Sequence, residues 1–390
     1  MLNPILSLGL LVIAGFIFGR IFNKMGLPSV TGYIVSGIVM GPYGLNIIHK
    51  GILNGSDFVS SVALSFIAYT LGKSFTLKSL RKIGKAVFAI SIGEVVVSFL
   101  VVTLALKFIL HQPLYLSIVI GAIAPATAPA AVVMVVREYR AKGPLTDTLL
   151  GVVAIDDAWG IMLFAFSIAL ARALSMSKGI IFSSVFHQMG HAFIEVVGSL
   201  GIGFIIGYIF SKLFKFFKSP THTLIGIIGV ILLTGGICEE LKLSILLSNM
   251  MLGTTIANTI KPSTRAFDIL EGFDPPLYLL FFVLAGASLE VTSLKALGLI
   301  GLVYVFTRLP GEMLGAYIGA RISKAPPNVR KYLGLGLAPQ AGVAIGLAII
   351  SKIYLPEGDL ILSTIIVTTV IYELIGPPLV KLALRKAKEI

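Results

Sequence analysis

Thirteen stretches of this 390-residue chain are apolar over close to the length that carries a helix across a bilayer. The hydrocarbon layer is roughly 30 Å thick and takes about 20 helical residues. The stretches are 5–23, 29–47, 58–76, 85–110, 114–136, 146–172, 192–217, 221–239, 243–260, 275–291, 296–321, 332–354 and 360–384. They are too long for barrel strands, and none shows the alternating ten-residue pattern of a transmembrane barrel. The pattern predicts an all-α polytopic membrane protein with thirteen transmembrane helices. Composition removes the alternatives, because 56% of the residues are hydrophobic and only 13% charged. A soluble fold could not cover its outside with so few polar groups, and a disordered chain would carry far less apolar surface. The 41 glycines fit helices that pack closely in lipid.

A net charge of +13 would suggest nucleic acid in a soluble protein. Here the placement of the charges decides. With the N-terminus outside, 23 Lys and Arg fall in or beside inside loops, 7 in or beside outside loops, and the one left over, Arg308, lies within a span. The inside set includes Lys212, Lys215 and Lys218 after segment 7, and Lys261 and Arg265 after segment 9; the outside set includes Lys178 and Lys295. Basic residues collect on the cytoplasmic side. The expectation is N-out and C-in, in the inner membrane of a prokaryote, with the bilayer rather than nucleic acid as partner. Met1-Leu2-Asn3-Pro4 lacks the basic region and cleavage site of a signal peptide. The longest polar connections, near 173–191 and 261–274, are too short to fold alone. A single transmembrane domain over 1–390 is expected, with no soluble domain. Cys238 has no partner cysteine. His49, His111, His187, His191 and His222 lie near span ends or in loops, so no cofactor and no resident metal is expected.

Two segments carry mid-span breaks. Segment 5 reads Gly121-Ala-Ile-Ala-Pro125-Ala-Thr127-Ala-Pro129-Ala-Ala131, and segment 12 reads Gly334-Leu-Gly-Leu-Ala-Pro339-Gln340-Ala-Gly342. Proline removes a backbone donor and clashes with the preceding turn. The freed backbone groups cannot face lipid, so they must be enclosed by protein or line a wet cavity. The two segments are seven spans apart, an odd number, so they run in opposite directions. That is the arrangement of inverted repeats, 1–172 and 221–390, joined by the helix at 192–217. Matched interrupted helices in inverted halves point to a transporter site.

Segment 6 places Asp156 and Asp157 about ten residues into its span, roughly 15 Å deep at 1.5 Å per residue. A mid-membrane charge costs at least about 2.5–3.5 kcal/mol. Two adjacent carboxylates there must share protons or meet a cation, which sets H⁺ and a cation in competition for one site. Arg308 in segment 11 lies too deep to reach water and needs an anionic partner. Asp156, Asp157, Glu312 and Glu373 are candidates, with Glu312 at i+4 able to pair within its own helix. Glu94 and Glu373 are read as structural partners.

The segment 2 pattern from Pro28 through Gly32, Gly37 and Gly41 to Pro42, the Ala-Pro-Ala-Thr-Ala-Pro break, the Asp pair and the Ala-Pro-Gln-Ala-Gly break together resemble a known family. It is that of the bacterial and archaeal Na⁺/H⁺ antiporters of the monovalent cation:proton antiporter-2 group, in the sodium/hydrogen exchanger superfamily. Ile245 to Gly253, and Phe281-Phe282 to Gly286, fit as well. The resemblance implies a dimerisation domain and a core domain with two crossed, unwound helices. It implies Asp157 as the carrier of Na⁺ (or Li⁺ or K⁺) and H⁺, Asp156 as the bridge to the basic residue, and Thr127 at the crossing. Pro125, Pro129, Pro339 and Gln340 then shape the crossing, with Glu312 and Glu373 in support. The adjacent-Asp type usually has lysine where this chain has Arg308, which stays charged at physiological pH. Potassium-efflux relatives often add a nucleotide-binding C-terminal domain; with Ile390 just after the last span, that regulation is not expected here.

Other classes fit less well. A channel needs an open pore and a filter ring. A sodium-coupled organic-solute symporter of the same architecture would want neutral ligands at the crossing. An intramembrane aspartyl protease, an enzyme, needs its two Asp on different helices. A homodimer is expected, with the Gly9, Gly15 and Gly19 ridge of segment 1 at or near the interface.

Overall fold

The computed structural model of the chain describes residues 3–73, 75–175, 182–217, 219–261, 264–270, 273–289 and 298–390. In chain order its helices are α1 (Pro4–Lys24), α2 (Ser29–Met40), α3 (Lys50–Asn54), α4 (Ser56–Gly72), α5 (Leu77–Ile109), α6 (Leu114–Ile123), α7 (Pro129–Glu138), α8 (Pro144–Val153), α9 (Asp156–Ser175), α10 (Phe182–Leu213), α11 (Pro220–Glu240), α12 (Ile245–Thr259), α13 (Thr264–Phe267), α14 (Asp274–Ser288), α15 (Gly298–Ile322), α16 (Pro327–Gly336), α17 (Gly342–Tyr354) and α18 (Gly358–Lys386). Among the described residues there is no strand. Each of the thirteen apolar stretches carries helix. Among the described residues six helical stretches are long and apolar enough to cross a membrane unbroken: α1, α5 from Gly84, α10 from Ile194, α11, α15 and α18. The outsides of these helices are apolar, as the exposed Ile5, Phe108, Phe306 and Ile322 show. Part of the connection expected at 173–191, together with Lys178 and Lys295, lies outside the described residues, as do the side chains of His187 and His191.

The chain forms two compact units. The first comprises residues 1–21, 32–82 and 193–288, and the second 22–31, 83–192 and 289–390. In the first, α4 and α12 pack face to face. Glycine allows it: a Cβ on Gly253 would fall on the Tyr69 carbonyl, and one on Gly72 on the Met250 carbonyl. In the second, Gly93 and Gly315 bring α5 against α15, where a Cβ on Gly315 would lie 2.6 Å from the Glu94 Cα. That closeness sets Glu94 beside the charged residues of α15.

Three expectations change in detail. Segment 2 ends at Met40 rather than 47, because Gly41-Pro42 opens a turn that Leu45 and Asn46 close onto Val39 and Gly41. Segment 7 begins at Phe182 rather than 192. The glycine ridge of α1 is mostly used inside the chain. A Cβ on Gly15 would lie 2.9 Å from Leu279 and Val283 of α14, and one on Gly19 would strike the Tyr33 ring. Gly9 alone of the three faces open space.

Candidate functional site

The site is built in the second unit, where the two proline breaks meet. Helix α6 stops at Ile123 and α7 starts at Pro129, where a missing N–H costs nothing at a first helical position. Helix α16 stops at Gly336 and α17 starts at Gly342. The gaps between them hydrogen-bond to each other, the Ala128 N–H donating to the Pro339 carbonyl at 2.8 Å. The freed carbonyls are then taken up by Arg308 of α15. Its Nε donates to the Ala124 carbonyl at 2.8 Å, its Nη1 to Ala338 at 2.8 Å and its Nη2 to Ala126 at 3.2 Å. Gln340 Nε2 donates to the Tyr304 hydroxyl at 2.8 Å and to the Ile123 carbonyl at 3.4 Å. The breaks are thus enclosed by protein, and one guanidinium stitches both.

Arg308 is fully buried, and its ion pair is local. Nη2 lies 2.6 Å from Glu312 Oε1, one turn along α15. The Tyr372 ring of α18 lies under the guanidinium at 4.4 Å from its Cζ. Among the described residues the ion pair of Arg308 is with Glu312, and none joins it to Asp156. Glu312 already stands at i+4, and three more of the five N–H groups go to backbone carbonyls.

Segment 6 differs from the continuous helix expected. Helix α8 ends at Val153, the Ile155 N–H turns back to the Val152 carbonyl at 3.0 Å, and α9 begins at Asp156. No proline or glycine stands at 154–155, so the sequence carries no signal for this interruption. Its consequence is chemical: both carboxylates occupy the first turn of α9, the positive end of its dipole. Asp156 Oδ1 caps that turn by accepting from the Asp157 N–H at 2.8 Å. Both side chains are buried. Thr127, also buried, sits beside Asp156 while its hydroxyl donates to the Pro125 carbonyl at 3.4 Å. Among the described residues, Asp156 Oδ2 and both oxygens of Asp157 have no hydrogen-bond partner.

One further carboxylate joins Asp156, Asp157 and Glu312 in the cluster. Glu94 is fully buried, and neither oxygen has a hydrogen-bond partner among the described residues. It faces Glu312, Asp156, Arg308 and Asp157. Its side chain therefore belongs to the site, although its place on segment 4 gave only a structural reading. Glu373 of α18 is buried as well, with Oε2 unpartnered among the described residues. Four carboxylates around one guanidinium cannot all be ionised in a medium of low dielectric. The cluster must hold protons or admit a cation; among the described residues Asp157 and Glu94 each lack an ion pair and a hydrogen bond, and of these two Asp157 stands at the N-terminus of α9.

The family model described as sodium/hydrogen exchanger, transmembrane, matches residues 9–386. The ammonium/H⁺ antiporter subunit AmhT of Alkalihalophilus pseudofirmus is 27% identical over 351 residues, covering 88% of this chain and 85% of that protein. The chloroplastic K⁺ efflux antiporter 2 of Arabidopsis thaliana is 27% identical over 365 residues, covering 89% of this chain, which spans 30% of that protein's length. In fold, the chain matches the solved sodium proton antiporter MjNhaP1 of Methanocaldococcus jannaschii with a TM-score of 0.74 at 20% identity, over 98% of each chain.

Proposed function

The chain belongs to the sodium/hydrogen exchanger family, and on that premise we propose that it exchanges a monovalent cation, Na⁺, for H⁺ by alternating access, with Asp157 as the shared site. The observation that carries the assignment is the buried Asp157 carboxylate, open at both oxygens at the N-terminus of α9. Most freed carbonyls of the two gaps already accept hydrogen bonds, so the carboxylate oxygens are the acceptors left for an arriving ion. A proton and a cation then exclude each other at Asp157. Asp156 orients that residue through the Asp157 N–H, with Thr127 at its side. Arg308, Glu312, Gln340, Pro125, Pro129 and Pro339 hold the crossing rigid, and Glu373 supports it from α18. The reaction is transport, with no bond made or broken in a substrate.

The repeat boundaries 1–172 and 221–390 gain support from the units. Segments 1–3 and 8–10 fall in the first unit, while segments 4–6 and 11–13 fall in the second. We take the second unit as the core domain and the first as the dimerisation domain of a homodimer. Thirteen crossings, N-out and C-in, in a prokaryotic inner membrane complete the reading. Since Gly15 and Gly19 are occupied within the chain, the dimer contact on α1 is left to its exposed face, with Ile13 and Phe16. Cysteines placed there should cross-link two copies; cysteines that yield no dimer band would remove α1 from the interface.

K⁺ is a second reading, favoured by the relative named for potassium efflux. The test is proton release from acid-loaded everted vesicles on adding Na⁺, Li⁺, K⁺ or NH₄⁺. Na⁺ should give the lowest half-saturating concentration, and that value should rise roughly tenfold per pH unit on the acid side, where the proton holds the site. A lower value for K⁺ would reassign the cation, and a pH-independent value would remove the shared site.

A further inference from the structure

The turn between α1 and α2 is a rigid corner. Gly26 takes a φ of +79°, and the N–H groups of Gly26 and Leu27 bond back to the Asn23 and Phe22 carbonyls, each at 2.9 Å. Glycine in that conformation closes the end of a helix. Beyond the turn the two helices touch, since a Cβ on Gly32 would lie 2.6 Å from the Phe18 carbonyl. The turn therefore moves with α1 and α2. Those helices, up to residue 21 and from residue 32, belong to the first unit. Residues 22–31 nevertheless group with the second unit.

Side chains from the end of α7 and from α18 explain that grouping. The carboxylate of Glu138, the last residue of α7, accepts from the Ser29 N–H at 2.8 Å, the Ser29 hydroxyl at 2.8 Å and the Asn23 side-chain amide at 2.7 Å. The Tyr139 hydroxyl donates to the Leu27 carbonyl at 3.3 Å, and the Lys381 ammonium donates to the Gly26 carbonyl at 2.7 Å. Glu138 stands at the negative pole of its own helix and finds its donors around the positive pole of α2. The Asn23 and Lys381 bonds are exposed, so water can replace them and the clasp can open. Lys24 beside the turn, Arg137 beside Glu138 and Lys381 itself all belong to the inside set of basic residues. The clasp therefore stands on the side that the charge alternation assigns to the cytoplasm, at the far end of the half-helix α7 that leaves the crossing.

We infer that the clasp of Glu138 on the α1–α2 turn is a latch that keeps the transporter closed to the inside and opens in every cycle. The inference rests on the alternating-access reading, in which the second unit shifts against the first. A corner that is rigid with α1 and α2 cannot then stay bound to α7 and α18 throughout. The polar, partly wet clasp is the set of contacts that gives way.

The experiment compares Na⁺-driven exchange by the full chain in everted vesicles, which present the inside, and in right-side-out vesicles. Glu138→Ala should lower the half-saturating Na⁺ concentration on the inside by up to about tenfold, the factor carried by one hydrogen bond to a charged group, and raise it on the outside. Loss of the negative charge alone would shift the inside value the other way. Asn23→Ala removes one donor and no charge, and should act in the same directions by about threefold; it carries the test if Glu138→Ala does not fold. In a Cys238→Ala background, Asn23→Cys with Glu138→Cys should behave as Glu138→Ala while reduced. A short, cleavable bifunctional thiol reagent should then stop exchange, and reductant should restore it. Shifts of one sign on both faces, or a cross-linked form that exchanges as fast as the reduced one, would overturn the latch while the parent still exchanges. A parent that exchanges no cation for H⁺ on either face would overturn the antiport reading, and the latch with it.

Discussion

Two charged places in the second unit are built in opposite ways. Around Arg308 the hydrogen bonding is closed: three backbone carbonyls, one carboxylate and one aromatic ring surround a guanidinium with no exposure. Around Asp156 and Asp157 it is open: among the described residues one of four carboxylate oxygens accepts a hydrogen bond, and that bond comes from the adjacent residue. Burial alone therefore does not mark a transport ligand in this protein. A buried ion whose bonding is complete fixes geometry, and a buried ion with vacant lone pairs has something left to bind. The closed place also explains how the open one persists, since the stitched breaks give Asp156 and Thr127 a rigid neighbourhood.

The comparison breaks most visibly at Asp157. Asp157→Asn should reduce cation-driven proton release to that of vesicles lacking the protein, while the unfolding midpoint in detergent stays at or above that of the parent. The amide removes a buried charge that makes no ion pair, so stability has little to lose. Retained transport, or a large drop in the midpoint, would show that the open place is structural after all.

Arg308 should answer in the opposite currency. Arg308→Ala leaves Glu312 and three carbonyls unpaired, and breaking a buried pair from one side costs about 3–5 kcal/mol. The partner is identified by a double-mutant cycle. The loss should shrink in a Glu312→Gln background and stay whole in an Asp156→Asn background. The reverse pattern would restore the Asp156 bridge. Arg308→Lys should recover only part of the loss, because one ammonium cannot reach three carbonyls spread over two gaps.

Gln340 lies at the edge of the closed place, and a smaller effect is expected there. Gln340→Leu strips the amide donor from the Tyr304 hydroxyl, and an unmet buried polar group costs about 1–3 kcal/mol. Calorimetric or fluorescence unfolding would measure it. A loss equal to that of Arg308→Ala would mean that the crossing depends on Gln340 as much as on the guanidinium.

What was legible in the sequence follows from which signals are local. The helices could be read because apolar length is local, and the two main breaks because Pro125, Pro129 and Pro339 announce them. The interruption before Asp156 was not legible, since Ala154-Ile155 is ordinary helix-compatible sequence and the break is made by tertiary surroundings. The partner of Arg308 was visible as an i+4 option, but choosing it required knowing that Ala124, Ala126 and Ala338 would use the other N–H groups. Glu94 looked like an isolated intramembrane acid until the contact of Gly93 and Gly315 set it opposite Glu312. The ridge of α1 was ambiguous for a related reason: a small-residue stripe records that something packs there, not which chain supplies it, and at Gly15 and Gly19 it is this chain.

The smallest effect tests how far the rigid frame extends from the Asp pair. Helix α8, which leads into the interruption, begins near the last residues of the chain. The Glu389 carboxylate accepts from the N–H groups of Leu145 and Thr146, each at 2.7 Å, and from the Thr146 hydroxyl at 2.6 Å. Gly143 makes room for it, since a Cβ there would fall on the Glu389 side chain. A carboxylate at that end meets both the orphan N–H groups and the positive pole of α8. Glu389→Ala should cost about 1 kcal/mol, the usual worth of a helix cap. Glu389→Gln should cost less, because the amide oxygen still accepts. If α8 positions the Asp pair, the alanine variant should also raise the half-saturating cation concentration, and the glutamine variant should raise it less. A stability loss with unchanged cation dependence would confine the rigid frame to the Arg308 crossing and leave the α8 end as a separate anchor.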